Sequence, residues 1–166
     1  MSDDFLMRLN ATIRDVKDFP KPGIVFKDIT PVLESGLLFK ELTERLAVPW
    51  RGAGIQKVVA IESRGFLFGA PLALSLSAGL CLVRKAGKLP SESHSISYAL
   101  EYGDAVVELH KDAIKPGEKV LIVDDLLATG GTALAAKDLV AKCHGVVAGY
   151  SFVVELDFLK GGAKLA

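Results

Sequence analysis

Hydrophobic positions change their period once along this chain, near residue 57. Before that point they recur every three or four residues. Phe5, Leu9, Ile13 and Val16 share one helical face, and Leu38, Leu42 and Leu46 share another. With Ser2 suited to cap it, the first run predicts an amphipathic helix from Asp3 to roughly Val16. Phe19-Pro-Lys-Pro-Gly23 stops that helix. Ile24 to Ile29 reads as a short extended segment. Thr30-Pro31 then reads as a helix cap followed by proline at the first helical position. Ser35 to Leu46 predicts the next helix.

From Lys57 onward, short apolar runs rich in β-branched residues alternate with helix-length segments. Val58–Ile61, Leu80–Val83, Ala105–His110, Val120–Val123 and Val146–Leu156 are predicted strands, the last interrupted at Gly149. Phe66–Ala78 and Ala133–Lys142 are predicted helices. Pro71 must lie in an early turn of the first or kink it, and Gly145 supplies a C′ residue for the second. Such alternation predicts an α/β fold with a doubly wound, mainly parallel sheet flanked by helices, binding its ligand at the carboxyl ends of the strands. The length and the lack of any dividing linker predict one domain over residues 1–166. Arg84–Tyr102 shows no period and reads as a long loop without secondary structure, of the kind that serves as a lid.

One stretch carries the chemistry. Val120–Val123 runs straight into Asp124 and Asp125, then into Ala128-Thr-Gly-Gly-Thr132 ahead of the last helix. Glycines allow close backbone approach, and the N–H groups that open a helix are free to meet an anion. Thr129 and Thr132 add hydroxyls. A phosphate held there leaves the two acids facing hydroxyls one ligand-length away, the spacing of a phosphorylated sugar. The loop is neither G-x-x-x-x-G-K-[ST] nor G-x-G-x-x-G. Arg64, Arg84, Lys85 and Lys88 fall on the same predicted rim and suit a concentrated anion such as pyrophosphate. Glu101 and Tyr102 close the long loop, where a carboxylate could act as general acid or stabilise positive charge.

Composition narrows the function classes. Lys plus Arg equal Asp plus Glu at 20 each, so formal net charge is zero, against a general nucleic-acid binder. Cys81 and Cys143 sit in apolar surroundings without C-x-x-C spacing and predict buried thiols of a reducing compartment. Met1-Ser-Asp-Asp4 lacks the features of a signal peptide. Gly65–Val83 is uncharged, but its glycines, serines and proline predict a helix followed by a strand and not a membrane span.

These motifs carry a resemblance. Leu121-Ile-Val-Asp-Asp-Leu-Leu-Ala-Thr-Gly-Gly-Thr132 resembles the phosphoribosyl-pyrophosphate (PRPP) motif of type I phosphoribosyltransferases. Phe19–Pro31, Glu62–Phe66, Arg84–Pro90 and Ser97–Gly103 are similar, in order, to the hood, the pyrophosphate loop and the two ends of the mobile loop in the adenine-using branch of that family. The resemblance implies the family's fold, with an N-terminal helix and hood over about residues 1–35 and a mobile catalytic loop over about 84–102. It implies transfer of a phosphoribosyl group from PRPP to adenine, giving AMP and pyrophosphate. Adenine would meet Val25, Phe26, Arg64 and Leu126. The 5′-phosphate would meet Ala128, Thr129, Gly130, Gly131 and Thr132, and the ribose Asp124 and Asp125. Ser63, Arg64, Arg84, Lys85, Lys88 and Tyr102 would meet the diphosphate. Glu101 would be catalytic. Mg²⁺ would come with the substrate, with Asp124 and Asp125 as candidate ligands. A cytoplasmic homodimer, with no nucleic-acid or membrane partner, is implied as well. Two departures stand out. Ser91–Ile96 differs from the family's loop and brings an acid near an anionic substrate, and the chain reaches Ala166 without the further apolar segment that family members carry.

Overall fold

The computed structural model describes residues 3–99 and 104–165. Two compact units divide it, residues 1–45 and 46–166.

In the first unit, α1 (Asp3–Thr12) buries Phe5 and Leu9. Arg8 bridges Asp4 and Glu41 at 3.0 and 2.7 Å, and the Arg45 guanidinium lies 4.2 Å from the Phe5 ring centroid. The predicted helix ends four residues early. Arg14–Lys17 instead forms strand β1, paired antiparallel with β2 (Val25–Asp28) from Arg14↔Asp28 to Lys17↔Val25. Strand pairing here outweighs the helical spacing of Ile13 and Val16. The Asp18 carboxylate accepts the Gly23 N–H at 2.7 Å across the connection. Val25 and Phe26 both lie on β2, the latter edge-on to Phe19. Helix α2 (Thr30–Glu34) starts one residue earlier than expected, and the acceptor at its start is Asp28, which takes both the N–H and hydroxyl of Thr30. Helix α3 (Gly36–Ala47) follows as predicted.

The second unit is built on a six-stranded sheet. Its strands are β3 (Lys57–Ile61), β4 (Gly79–Lys85), β5 (Ser93–Ala99), β6 (Asp104–His110), β7 (Lys119–Leu127) and β8 (Val146–Glu155). Their order is β5-β6-β4-β3-β7-β8. The four strands β4-β3-β7-β8 are mutually parallel, and β6 and β5 extend them as antiparallel neighbours. Helix α4 (Gly65–Leu76) links β3 to β4, and α5 (Gly131–Lys142) links β7 to β8. The two crossovers leave adjacent strands in opposite directions, so the switch point of a doubly wound sheet falls between β3 and β7. Val59, Ile61, Val83, Val120 and Ile122 join Ala136, Leu139 and Val140 in one buried core with Val107 and Leu109.

Several boundaries differ from the sequence reading for physical reasons. Arg84–Tyr102 was expected to lack secondary structure. Yet β4 continues through Lys85, and Ser93–Ala99 pairs with β6 over seven residues. Ile96 and Tyr98 alternate with serines and rest on the core, a period-two pattern obscured by its polar partners. Asp124 and Asp125 do not follow β7 but belong to it, since pairing with β8 continues to Leu127↔Glu155. At the end of α5 the left-handed residue is His144 (φ 59°), not Gly145. His144 N–H reaches Ala141 O and Gly145 N–H reaches Val140 O, a Schellman arrangement. Gly145 is instead confined by packing, because a Cβ there would stand 2.9 Å from Ile114 and Val140 methyls. Gly149 does not interrupt β8. The register shifts between Val120↔Val147 and Leu121↔Gly149, and a Cβ on Gly149 would strike the Trp50 ring.

Candidate active site

The carboxyl ends of β3, β4 and β7 present three loops on one rim, as the switch point requires. The first is Glu62–Gly65. The Glu62–Ser63 peptide is cis, and Ser63 O accepts the Phe66 N–H at 3.2 Å as α4 begins. Gly65 lets this turn close on β7, for a Cβ there would lie 2.9 Å from Val123 O and 3.0 Å from Asp124 Oδ1. Arg64 Nε donates to Asp125 Oδ2 at 2.5 Å. That joins two residues 61 apart in sequence, and Asp125 is only 5% exposed.

The second loop follows β4. Glu62, which sequence reasoning overlooked, organises it. Its Oε2 accepts the Lys85 backbone N–H at 2.9 Å and Arg84 Nε at 3.3 Å, while Oε1 lies 3.9 Å from Lys88 Nζ. The Lys85 N–H, and then the Arg84 guanidinium, hold the Glu62 carboxyl below the usual carboxylate range. Three of the predicted diphosphate residues thus gather on one acid. The available signal was its position: Glu62 leaves β3 as Asp124 and Asp125 leave the core of β7.

The third loop encloses a pocket lined by Asp124, Leu126, the Ala128–Thr132 loop and Phe152. Gly130 takes φ 81° at the start of α5, whose first-turn N–H groups have no partner within the helix. All five predicted phosphate residues therefore share one concave wall with Asp124. Phe152 enters because it stands opposite Asp124 in the β7–β8 ladder. Gly161 supports the loop from outside, where a Cβ would fall 2.1 Å from Ala128 O and 3.1 Å from Gly130 N.

The two acids have different surroundings. Asp125 meets a cation. Asp124 Oδ1 accepts the Asp125 N–H at 2.9 Å, but burial, and then the neighbouring charge of Asp125, push its carboxyl up to about 8. A buried acid of this kind gains from any cation or hydroxyl donor entering the pocket. Glu101 and Tyr102 lie outside the described residues, so the structure does not place them. Val25 and Phe26 belong to the first unit, described above.

A mainly parallel sheet with a glycine-containing loop at a helix start and paired acids at its switch point is the arrangement of a phosphoribosyltransferase-type site. In agreement, the family model of the phosphoribosyl transferase domain matches residues 38–153. The adenine phosphoribosyltransferase of Anaeromyxobacter dehalogenans is 56% identical over 157 residues, covering 95% of this chain and 91% of that protein. The crystal structure of the Rhodothermus marinus adenine phosphoribosyltransferase has a TM-score of 0.93 at 50% identity, covering 98% of this chain and 93% of that one. The Saccharomyces cerevisiae enzyme, crystallised with adenine and an imino-altritol bisphosphate, has a TM-score of 0.94 at 42% identity, covering 98% and 95%. The chain belongs to the adenine phosphoribosyltransferase family.

Proposed function

We infer that the protein transfers the phosphoribosyl group of PRPP to adenine, releasing pyrophosphate and forming AMP. The observation that carries this reading is the single pocket shared by the Ala128–Thr132 loop and Asp124, beside the Arg64–Asp125 pair. The loop binds the 5′-phosphate through backbone N–H groups and the hydroxyls of Thr129 and Thr132. Asp124 and Asp125 accept the ribose hydroxyls. Arg64, Arg84, Lys85 and Lys88, with Ser63 and Tyr102, take the diphosphate as it leaves with two electrons of the glycosidic bond. Fixed cations stabilise that developing charge. Glu101 moves the purine proton, and Val25, Phe26, Arg64 and Leu126 contact the base.

Mg²⁺ fits this site as a companion of the substrate. Among the described residues no group of three His, Cys, Asp or Glu side chains is arranged to hold a metal. Asp125 is already engaged by Arg64, while Asp124 has an unmet demand for positive charge. Diphosphate oxygens would complete the ligand set, with Asp124 and Asp125 contributing, and the metal would neutralise the leaving group.

We also propose a homodimer. Leu67 and Leu74 on α4 are exposed, as are Leu80 and Leu82 on β4, and Leu74 retains 82% of its accessible surface. Apolar surface of this kind suits a partner subunit. The buried free thiols of Cys81 and Cys143 support a reducing, cytoplasmic setting. No described helix is long and apolar enough to cross a membrane.

The test is to supply PRPP and Mg²⁺ with each purine base and follow nucleotide formation. AMP from adenine alone is expected. No AMP from adenine would sink the assignment, and faster turnover of guanine or hypoxanthine would move it to another base.

A further inference from the structure

We infer that Tyr98 is a positioning residue for the phosphate loop, its phenol hydroxyl turning the Thr132 hydroxyl toward the bound 5′-phosphate. The inference rests on the loop assignment above and adds a residue from a distant strand to it.

Thr132 Oγ1 and Tyr98 Oη lie 3.1 Å apart. Thr132 is the second residue of α5 and lines the pocket. Tyr98 belongs to β5, 34 residues earlier. Its ring is set by packing, since Tyr98 and Ile96 rest on the buried core beneath α5. Strand β5 is itself held on both sides. It pairs with β6 along its length, and the Lys142 ammonium at the far end of α5 donates to Ser95 O at 2.9 Å. The phenol is therefore offered from a fixed platform and not from a free side chain.

A threonine hydroxyl has one proton and two lone pairs, and turns to suit its neighbours. With the loop empty, Thr132 donates to Tyr98. With a phosphate in the loop, the oxyanion takes the Thr132 proton, and Tyr98 donates its own proton to Thr132 Oγ1. The bond persists with its direction reversed, so each hydroxyl has a partner in both states. The phenol proton then favours the Thr132 rotamer that points at phosphate, and the anion polarises the two hydroxyls in series.

Tyr98→Phe keeps the ring and removes only the hydroxyl. Calorimetric titration with AMP, ribose 5-phosphate and pyrophosphate reads the effect. Tyr98→Phe should weaken AMP and ribose 5-phosphate by about fivefold, the scale of one neutral hydrogen bond, and leave pyrophosphate unchanged. In a Thr132→Val background Tyr98→Phe should have no further effect, and in Thr132→Ser the fivefold dependence should return. Unchanged AMP affinity in Tyr98→Phe, equal weakening of pyrophosphate, or a full additional loss on Thr132→Val would overturn the inference. Wild-type protein that binds neither AMP nor ribose 5-phosphate would overturn the loop assignment itself, and the inference with it.

Discussion

Asp125→Asn tests the centre of the site. The amide has nearly the shape of the carboxylate, so packing is preserved and only charge is removed. What is lost is the negative charge facing Arg64 Nε at 2.5 Å, on a side chain that is 6% exposed. The guanidinium side is 39% exposed and keeps access to water. Exposed pairs contribute about 0–1 kcal/mol, and breaking a fully buried pair costs about 3–5 kcal/mol. This half-buried pair belongs between them, at about 1–2 kcal/mol. For a chain of this size that is a fall in melting temperature of about 3–6 °C. An opposing effect trims it, because the Asp125 charge is the second cause of the raised Asp124 pKa, and removing it lets Asp124 ionise more easily. Differential scanning calorimetry at pH 7 measures the stability, and initial rates against PRPP measure function. A double-mutant cycle with Arg64→Met isolates the pair, and a coupling of about 1–2 kcal/mol is expected. A melting temperature within about 1 °C of wild type, with additive single variants, would show that the contact holds nothing together. A loss of PRPP use without that stability change would confine Asp125 to the ligand.

Three further predictions concern its neighbours. Glu62→Gln should weaken pyrophosphate by roughly threefold to tenfold, since a neutral amide can still accept from Lys85 N–H but loses the charge that holds Arg84 and Lys88 in place. Tighter pyrophosphate binding would instead make Glu62 a competing anion. Gly161→Ala must displace the C-terminal segment from Ala128 O, so AMP affinity should fall about tenfold, with about 1–3 kcal/mol lost from stability. Unchanged AMP affinity would remove Gly161 from the site. Because the folded-state pKa of Asp124 is raised from 3.8 to about 8, its contribution to stability is complete below about pH 4 and is lost as pH rises through 8. Ligand-free Asp124→Asn should lack that decline and melt above wild type at pH 9. Parallel melting curves for the two proteins from pH 5 to 9 would refute it.

How much of this was legible in the sequence depended on the range of the interaction. Val58–Ile61 and Val120–Val123 read as strands because strands buried on both faces are continuous apolar runs. The Ala128–Thr132 wall of the pocket was legible because its residues are contiguous. Strand β5 was not, since Ser93, Ser95 and Ser97 give it the composition of a loop and only Ile96 and Tyr98 reveal its inner face. Strand β1 was hidden because Ile13 and Val16 also fit a helix, and pairing with β2 decided between them. Arg64 was identified as a cation on the rim, but its contact with Asp125 spans 61 residues and has no local signal. In sequence Glu62 is one acid of a turn, and only the folded chain brings Arg84, Lys85 and Lys88 onto it. The supporting role of Gly161 depends on a backbone approach that no residue pattern announces.

The contact of Gly161 with the Ala128–Thr132 loop also has a consequence during synthesis. Strands β3 to β8 precede it, and all the predicted substrate contacts lie before residue 153. Yet the loop that starts at Ala128 lacks its outer support until residue 161 has left the ribosome. A nascent chain stalled just short of that point would hold the sheet and the pocket-lining side chains with the Ala128–Thr132 loop open at the back. Competence to bind AMP should therefore arrive only once residue 161 is free, in one step, after the fold that surrounds it has formed.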